Sequence, residues 1–216
     1  MSIYTGYPSG SELSKLLYDW LSNDEKKLVK STQALPDLAE QIFRVKSQDR
    51  NALISQLSKI FNKTPKSRAI HDRLAIIPHF NTIITTNNDT LFETSFKSKA
   101  QVTFKTSHIP SIDHRKIQIF KIHGDLNKPD SIILTTSDYN NFFKDRKDDS
   151  TYWKVISERI STNIVLFLGY NLEDPNVSVV FDRITDSLGA HRKEAFLVAS
   201  NPDPAKDKKP IRFPSN

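Results

Sequence analysis

The sequence predicts an α/β fold: a mostly parallel sheet with an inserted helical module. Three observations carry this. From Ser9 to Ile77 the apolar residues recur at helical spacing and almost nothing reads as strand. After Pro78, short β-branched or apolar runs alternate with helical stretches, the order that a parallel sheet with covered faces requires. Several of these runs stop abruptly in polar residues or glycine, at the place where open parallel sheets bind ligands.

The elements follow in order. Leu13, Leu16, Leu17, Trp20 and Leu21 form one helical stripe over Ser9–Leu21, with Ser9 or Ser11 as its cap. Leu35–Val45 carries Leu38, Ile42 and Phe43, and Ala52–Phe61 carries Leu53, Ile54, Leu57, Ile60 and Phe61, both at helical spacing. Ser67–Ile77 reads as a further helix, stopped by Pro78. Asn81–Thr86 is a β-branched run that reads as a buried strand. Gln101–Phe104, Ile117–Ile122 and a short Ser131–Leu134 read as three more strands. Helices are expected over Asp138–Phe143 and Tyr152–Ile160, then Asn163–Leu168 as the most hydrophobic strand. Asp174-Pro175 opens a helix with an aspartate cap and a proline in the first turn, running to about Leu188 with Gly189 as its end. Ala195–Ala199 is the last strand, and the polar stretch from Asn201 reads as a tail or linker.

Composition narrows the function classes. Hydrophobic residues make up 37% and charged residues 26% of the 216, which is a globular balance. The absence of cysteine excludes disulfides, cysteine-ligated zinc and a cysteine nucleophile. The N-terminal residues lack a basic-then-apolar secretion signal, and no apolar stretch approaches the roughly 20 residues that span a bilayer, so a cytoplasmic location and no membrane partner are expected. The net charge of +6 comes from 31 basic and 25 acidic side chains. Its clusters, such as Lys26, Lys27 and Lys30 or Lys206, Lys208 and Lys209, are not interleaved with aromatic residues, so solvated faces or a small anionic ligand account for it better than nucleic acid.

Three segments bring chemistry to strand ends. In Ile83–Glu93 a strand runs out into Thr85-Thr86-Asn87-Asn88-Asp89 before a helix begins; one cap needs one residue, and five consecutive polar side chains exceed that need. In Ile119–Leu126 His123 follows an apolar strand and precedes Gly124, where a histidine can exchange a proton near neutral pH or simply bond a loop carbonyl. In Ile164–Pro175 a strand ends at Gly169, and the following loop can offer amides to phosphate or ribose oxygens or merely pack and cap.

Taken in this order and spacing, these segments resemble the sirtuin-like family of NAD-consuming enzymes, in its bacterial antiphage-defence branch. The family's Thr-Thr-Asn-aromatic-Asp motif is matched by Thr85-Thr86-Asn87-Asn88-Asp89, and its Lys-aliphatic-His-Gly motif by Lys121-Ile122-His123-Gly124. Its aspartate-tyrosine pair is matched by Asp138-Tyr139, and its Gly-Tyr-Ser-like turn by Gly169-Tyr170-Asn171 with Asp174. Gly6-Tyr7-Pro8-Ser9 matches the segment after the family's first phosphate loop. The resemblance covers nearly the whole chain.

It implies a Rossmann-like sheet with NAD as substrate. Asn87 would be the carboxamide that positions ribose or the attacking water, and His123 the general base. Asp89 would help place the nicotinamide end, and Gly169 with Asn171 the adenosine side; Ser2, Tyr7, Pro8, Thr86, Tyr170 and Asp174 complete the implied binding set. The family's opening strand ends in Gly-Ala-Gly-x-Ser, and here Ser2 stands in the position of that serine, so residues 1–8 are expected to be the remnant of the phosphate-loop region. Residues 9–78 are then the helical module, 79–200 the NAD-binding core and 201–216 the tail. The four-cysteine zinc module of sirtuin deacylases has no counterpart, which moves the expectation from deacylation to NAD hydrolysis without zinc. The expected activity is cleavage of NAD to nicotinamide and ADP-ribose in antiphage defence, with a second copy or a sensor of the defence system as partner. The alternative is a degenerate sirtuin-like module that senses a nucleotide or holds a partner.

Overall fold

The computed structural model describes residues 2–30, 34–144, 151–169 and 195–198. They fall into two compact units, residues 2–152 and the described residues from 153 onward, which are taken separately.

The first unit begins with a 3-10 turn over Ser2–Thr5 and helix α1, Gly10–Asp19. Of the two serines that could cap α1, Ser9 does: its side chain accepts from the Glu12 amide, and the Glu12 carboxylate accepts from the Ser9 amide. The same reciprocal cap at Ser22 and Glu25 starts a four-residue helix, α2, Asn23–Lys26. Helix α3 spans Leu35–Val45, α4 spans Arg50–Phe61 with Asp49 as its cap, and α5 spans Ala69–Ala75. Leu13, Leu17, Leu38, Ala39, Ile42, Leu53 and Leu57 interlock as one apolar cluster, so the helical stripes read from the sequence bury each other.

Strand β1 is Thr82–Thr85, β2 is Ala100–Thr103 and β3 is Ile117–Lys121. Helix α6, Leu91–Phe96, follows β1. The order in space is β1-β3-β2 with every pair parallel, the arrangement expected when helices and loops return the chain between strands. The central strand β3 is buried from Gln118 to Lys121, whereas Thr82, Ile83 and Ile84 of β1 are only half-buried. Asn81–Thr86 reads as the buried strand because its side chains are β-branched, but burial follows position in the sheet, and β1 lies beside one strand among the described residues.

Ser131–Leu134 departs from the sequence expectation. It forms no strand: a 3-10 turn over Pro129–Ser131 leads into irregular chain. The apolar run is nonetheless used for burial: Ile132 and Leu134 both enter the helical cluster, with Ile133 half-buried between them. Its backbone groups find other partners, however. Arg50 Nη2 donates to the Ile132 carbonyl, Ile133 N donates to the His123 carbonyl at 3.0 Å, and Leu134 N donates to Asp138 Oδ2 at 3.0 Å. With those groups satisfied by side chains and a loop, no neighbouring strand is required. Helix α7, Thr136–Lys144, follows and is tied to α3 by Thr136 Oγ1 donating to Asp37 and Ser137 donating to Glu40.

Helix α8 is Thr151–Thr162; its first turn ends the first unit, where Tyr152 donates to the Thr103 carbonyl at 3.3 Å. In the second unit, β4, Val165–Leu168, pairs in parallel with β5, Ala195–Val198. The expected helix from Asp174, Ala199 and the tail from Asn201 lie outside the described residues. The chain is thus an α/β fold with Rossmann-like parallel pairing. No helix among the described residues is long and apolar enough to cross a membrane.

One core residue carries a stability prediction. His71 on α5 is fully buried and meets Phe92 of α6 edge-on at 4.8 Å, and neither ring nitrogen has a hydrogen-bond partner among the described residues. Burial pulls its pKa below the ordinary 6.5. The folded chain therefore binds fewer protons than the unfolded chain as pH falls below 6.5, and stability declines in that direction. Replacing His71 with leucine is expected to leave stability within about 1 kcal/mol at pH 8, since the lost polar atoms were unpaired. It is also expected to flatten the decline between pH 6.5 and 5 in urea titrations; an undiminished decline would assign it to other groups.

Candidate functional site

The carboxyl ends of β1 and β3 build the site. The two strands run in register with Thr85 opposite Lys121, and the ladder continues one step as Ile122 N donates to the Thr85 carbonyl at 2.9 Å. Asn87 and His123 therefore each stand two residues past a matched pair, on neighbouring parallel strands whose spacing is about 4.8 Å. Thr85 turns the chain there: its Oγ1 accepts from Asn87 N at 3.1 Å. Asn87, Thr86 and His123 are all half-buried, reachable yet held.

His123 sits in an aromatic corner on the other side. Its Nδ1 lies 3.3 Å from the Tyr139 hydroxyl, and the rings of Tyr139 and Phe142 on α7 meet it edge-on at 5.1 and 6.3 Å. Asp138, the neighbour of Tyr139, accepts from the Leu134 and Thr135 amides and pairs with Arg50 at 2.9 Å. The aspartate of the aspartate-tyrosine pair thus fixes the start of α7, and the tyrosine meets the histidine.

Behind the loops lies Lys121, whose side chain has no exposure. Its ammonium reaches four oxygens: the Asp89 carbonyl at 2.6 Å, Glu93 Oε1 at 2.7 Å, the Asn88 carbonyl at 3.2 Å and Asp125 Oδ2 at 3.2 Å. Burial pushes the Glu93 carboxyl pKa up, against the pull of the Lys121 charge. Asp89 is buried too; its Oδ1 accepts from Leu91 N at 3.1 Å at the start of α6. Gly124 completes the turn with φ at +86°, and a Cβ there would come within 2.0 Å of the Ser131 carbonyl oxygen, so only glycine fits.

Asp89 also borders a cavity of about 310 Å³ whose walls include Tyr7, Ser58, Phe61, Asn62 and Leu126. Tyr7 meets Phe61 edge-on at 5.4 Å and donates its hydroxyl to the Lys63 carbonyl at 3.1 Å. Burial, and after it the Asp89 charge, pushes the Tyr7 hydroxyl pKa up, so the phenol remains a donor. A larger cavity, about 520 Å³, opens at the amino ends of the strands beside Pro78, Lys99, Arg115, Lys116 and Ile117. Its lining includes none of the candidate catalytic or NAD-binding residues, and it lies at the end of the sheet opposite to where such folds bind ligands.

The structure therefore brings Thr86, Asn87, Asp89 and His123 to one edge, with Tyr7 across a cavity from that edge. Pro8 follows Tyr7 half-buried in the turn before α1, and Ser2 starts the first 3-10 turn. Gly169 follows β4 in the second unit with φ at +69°. Tyr170, Asn171 and Asp174 lie outside the described residues. In the sequence Lys121 and Tyr139 stand out only as letters of their motifs, and Asn88 only as that and as a candidate cap, with Asp89, for the following helix. The signal for Lys121 was present, since a single lysine inside Ile119-Phe120-Lys121-Ile122 must find buried anionic partners. Among the described residues no group of three or more histidine, aspartate or glutamate side chains could hold a metal.

Comparison with known proteins gives one family and several relatives. A family model described as a SIR2-like domain matches residues 81–213. The chain is 25% identical over 202 residues to the NAD(+) hydrolase ThsA of Acinetobacter baumannii, covering 92% of this chain and 40% of that protein. It is 27% identical over 208 residues to the NAD(+) hydrolase ThsA of Enterococcus faecium, covering 92% of this chain and 41% of that protein. It is 23% identical over 219 residues to Defense-associated sirtuin 2 of Bacillus subtilis, covering 99% of this chain and 21% of that protein. The chain thus spans less than half the length of these curated relatives.

Proposed function

We propose that this chain, which belongs to the SIR2-like domain family, hydrolyses NAD to nicotinamide and ADP-ribose as the effector of an antiphage defence system. The reading is supported most by one observation: Asn87 and His123 leave adjacent parallel strands at the same level. It draws further support from relatives whose names state NAD(+) hydrolysis and defence for those proteins. Residues 79–200 are the NAD-binding core on this reading, and 9–78 the helical module. The protein would act in the cytoplasm without zinc.

The chemistry follows from the bond that breaks. Cleavage between ribose C1′ and the pyridinium nitrogen returns the bonding electrons to nicotinamide, which leaves neutral and needs no acid. Positive charge builds on the ribose, as in glycoside hydrolysis. Water attacks C1′ and gives up a proton. In this scheme the Asn87 carboxamide orients ribose or the water, and His123 accepts the proton. When Nδ1–H donates to the Tyr139 hydroxyl, Nε2 is the nitrogen left to take it. In the same scheme Asp89 helps place the nicotinamide end and Gly169 with Asn171 the adenosine side, while Ser2, Tyr7, Pro8, Thr86, Tyr170 and Asp174 complete the proposed binding set.

The test is to incubate the protein with NAD and follow nicotinamide release. Wild type is expected to release nicotinamide and ADP-ribose in equal amounts, and Asn87→Ala to stop it. No release by the wild type, or turnover that survives both Asn87→Ala and His123→Ala, overturns the hydrolase reading. NAD binding without release would instead leave a nucleotide-sensing module.

A further inference from the structure

Asn88 is the residue in the strand-end loop to which the sequence gives least reason to attend. The motif that Thr85–Asp89 is similar to has an aromatic side chain at this position, and this chain has an amide. That amide does not point into a helix cap. Its Nδ2 donates to the carbonyl oxygens of His123 and Gly124, at 2.5 and 3.3 Å. The backbone of Asn88 is engaged in the reverse direction, since its own carbonyl accepts from Leu126 N at 3.1 Å and from Lys121 Nζ at 3.2 Å.

The turn from His123 to Leu126 is thus gripped from both ends by one residue. At one end a side-chain donor takes its carbonyls, and at the other a backbone acceptor takes its amide. The grip matters because of what each loop carries. Asn87 precedes Asn88 directly, so any movement of Asn88 moves the Asn87 backbone. The His123 carbonyl is held on a second side by Ile133 N at 3.0 Å, and Gly124 is pressed against Ser131 where no side chain fits. The peptide after His123 therefore has its orientation set by two donors, of which Asn88 is the one arriving from the neighbouring strand.

We propose that Asn88 is a positioning residue: its side-chain amide fixes the separation and orientation of Asn87 and His123 by bonding the His123 and Gly124 carbonyls. The effect on catalysis rests on the hydrolase reading above; the effect on His123 does not. Asn88 itself needs no contact with NAD. Because it acts on geometry and not on substrate, its loss should lower kcat and spare KM.

The experiment uses the 216-residue chain labelled with 13C at histidine Cε1, in wild type, Asn88→Asp and Asn88→Leu. The aspartate keeps the shape but replaces the donor with an anionic acceptor; the leucine keeps the volume with neither donor nor charge. The His123 signal is assigned by its disappearance in His123→Ala. In both variants the His123 signal is expected to shift or broaden while the other histidine signals stay in place, and kcat for NAD is expected to fall roughly 10- to 100-fold with KM within about twofold. An unmoved His123 signal in Asn88→Asp overturns the proposal, as does a shift of all six histidines, which would report general loosening. If the wild type releases no nicotinamide but the His123 signal moves, the hydrolase reading fails and the positioning role stands. If His123→Ala abolishes turnover while Asn88→Asp leaves both signal and kcat unchanged, the positioning role fails and the hydrolase reading stands.

Discussion

Replacing His123 with alanine is expected to lower the kcat for nicotinamide release by about 10²–10⁴-fold, the contribution of a positioned general base. That is about 3–5 kcal/mol of transition-state stabilisation. The fold should survive, because the loops are joined through the backbone of residue 123: its carbonyl accepts from Asn88 Nδ2 and Ile133 N, and both bonds persist with alanine. What disappears is the imidazole facing Tyr139 and Phe142. KM for NAD should change little, since a base that receives a proton in the transition state adds little to ground-state binding. Steady-state kinetics on the variant, with circular dichroism as a control for folding, decides the matter. A raised KM with unchanged kcat would turn His123 into a binding residue and remove the proton-acceptor role.

Lys121→Met is expected to cost about 3–5 kcal/mol of stability, the usual penalty for stranding buried charges by removing one partner. Methionine is close to lysine in length, so no large cavity opens and the loss is electrostatic. It leaves the Glu93 and Asp125 carboxylates and the Asn88 and Asp89 carbonyls without the cation that joins them. The pH dependence gives the cause away. Burial already pushes the Glu93 pKa up and the Lys121 charge opposes it, so in the variant the opposing pull is gone and the pKa moves further up. A carboxyl whose folded pKa is raised binds more protons folded than unfolded, so stability falls as pH rises through its titration. Urea unfolding should therefore show a larger deficit at pH 8 than at pH 5. A deficit below about 1 kcal/mol, equal at both values, would mean that the four oxygens find other partners.

The local rules of the sequence foretold much of the fold. Helix α3 has the ends read from its apolar spacing, and α1 is capped by Ser9, one of the two serines its start offers. Helix α2 escaped notice because four residues hold no period, although Ser22 and Glu25 had the spacing of a reciprocal cap. Ser131–Leu134 reads as a strand because a short apolar run alone cannot tell a strand from a loop whose side chains enter a helical core. At the candidate site, the polar run after β1 and the histidine after β3 stood out as residues. Their joining did not, since the register that sets Thr85 against Lys121 is a property of two segments 36 residues apart in the chain. Asn88 and Lys121 became interpretable once that register was known.

The tie between Arg50 and Asp138 links positions 88 residues apart, and Ser137 reaches Glu40 across 97. During synthesis from the N-terminus, α3 and α4 emerge well before Ile132, Leu134 and Asp138, the residues that close their apolar cluster and occupy Arg50. Tyr139, which meets His123, arrives with that same segment. The nascent chain thus cannot complete its helical core without also delivering the aromatic neighbour of the histidine. One segment of the chain, from Ile132 to Tyr139, serves both the closure of the helical core and the setting of the histidine.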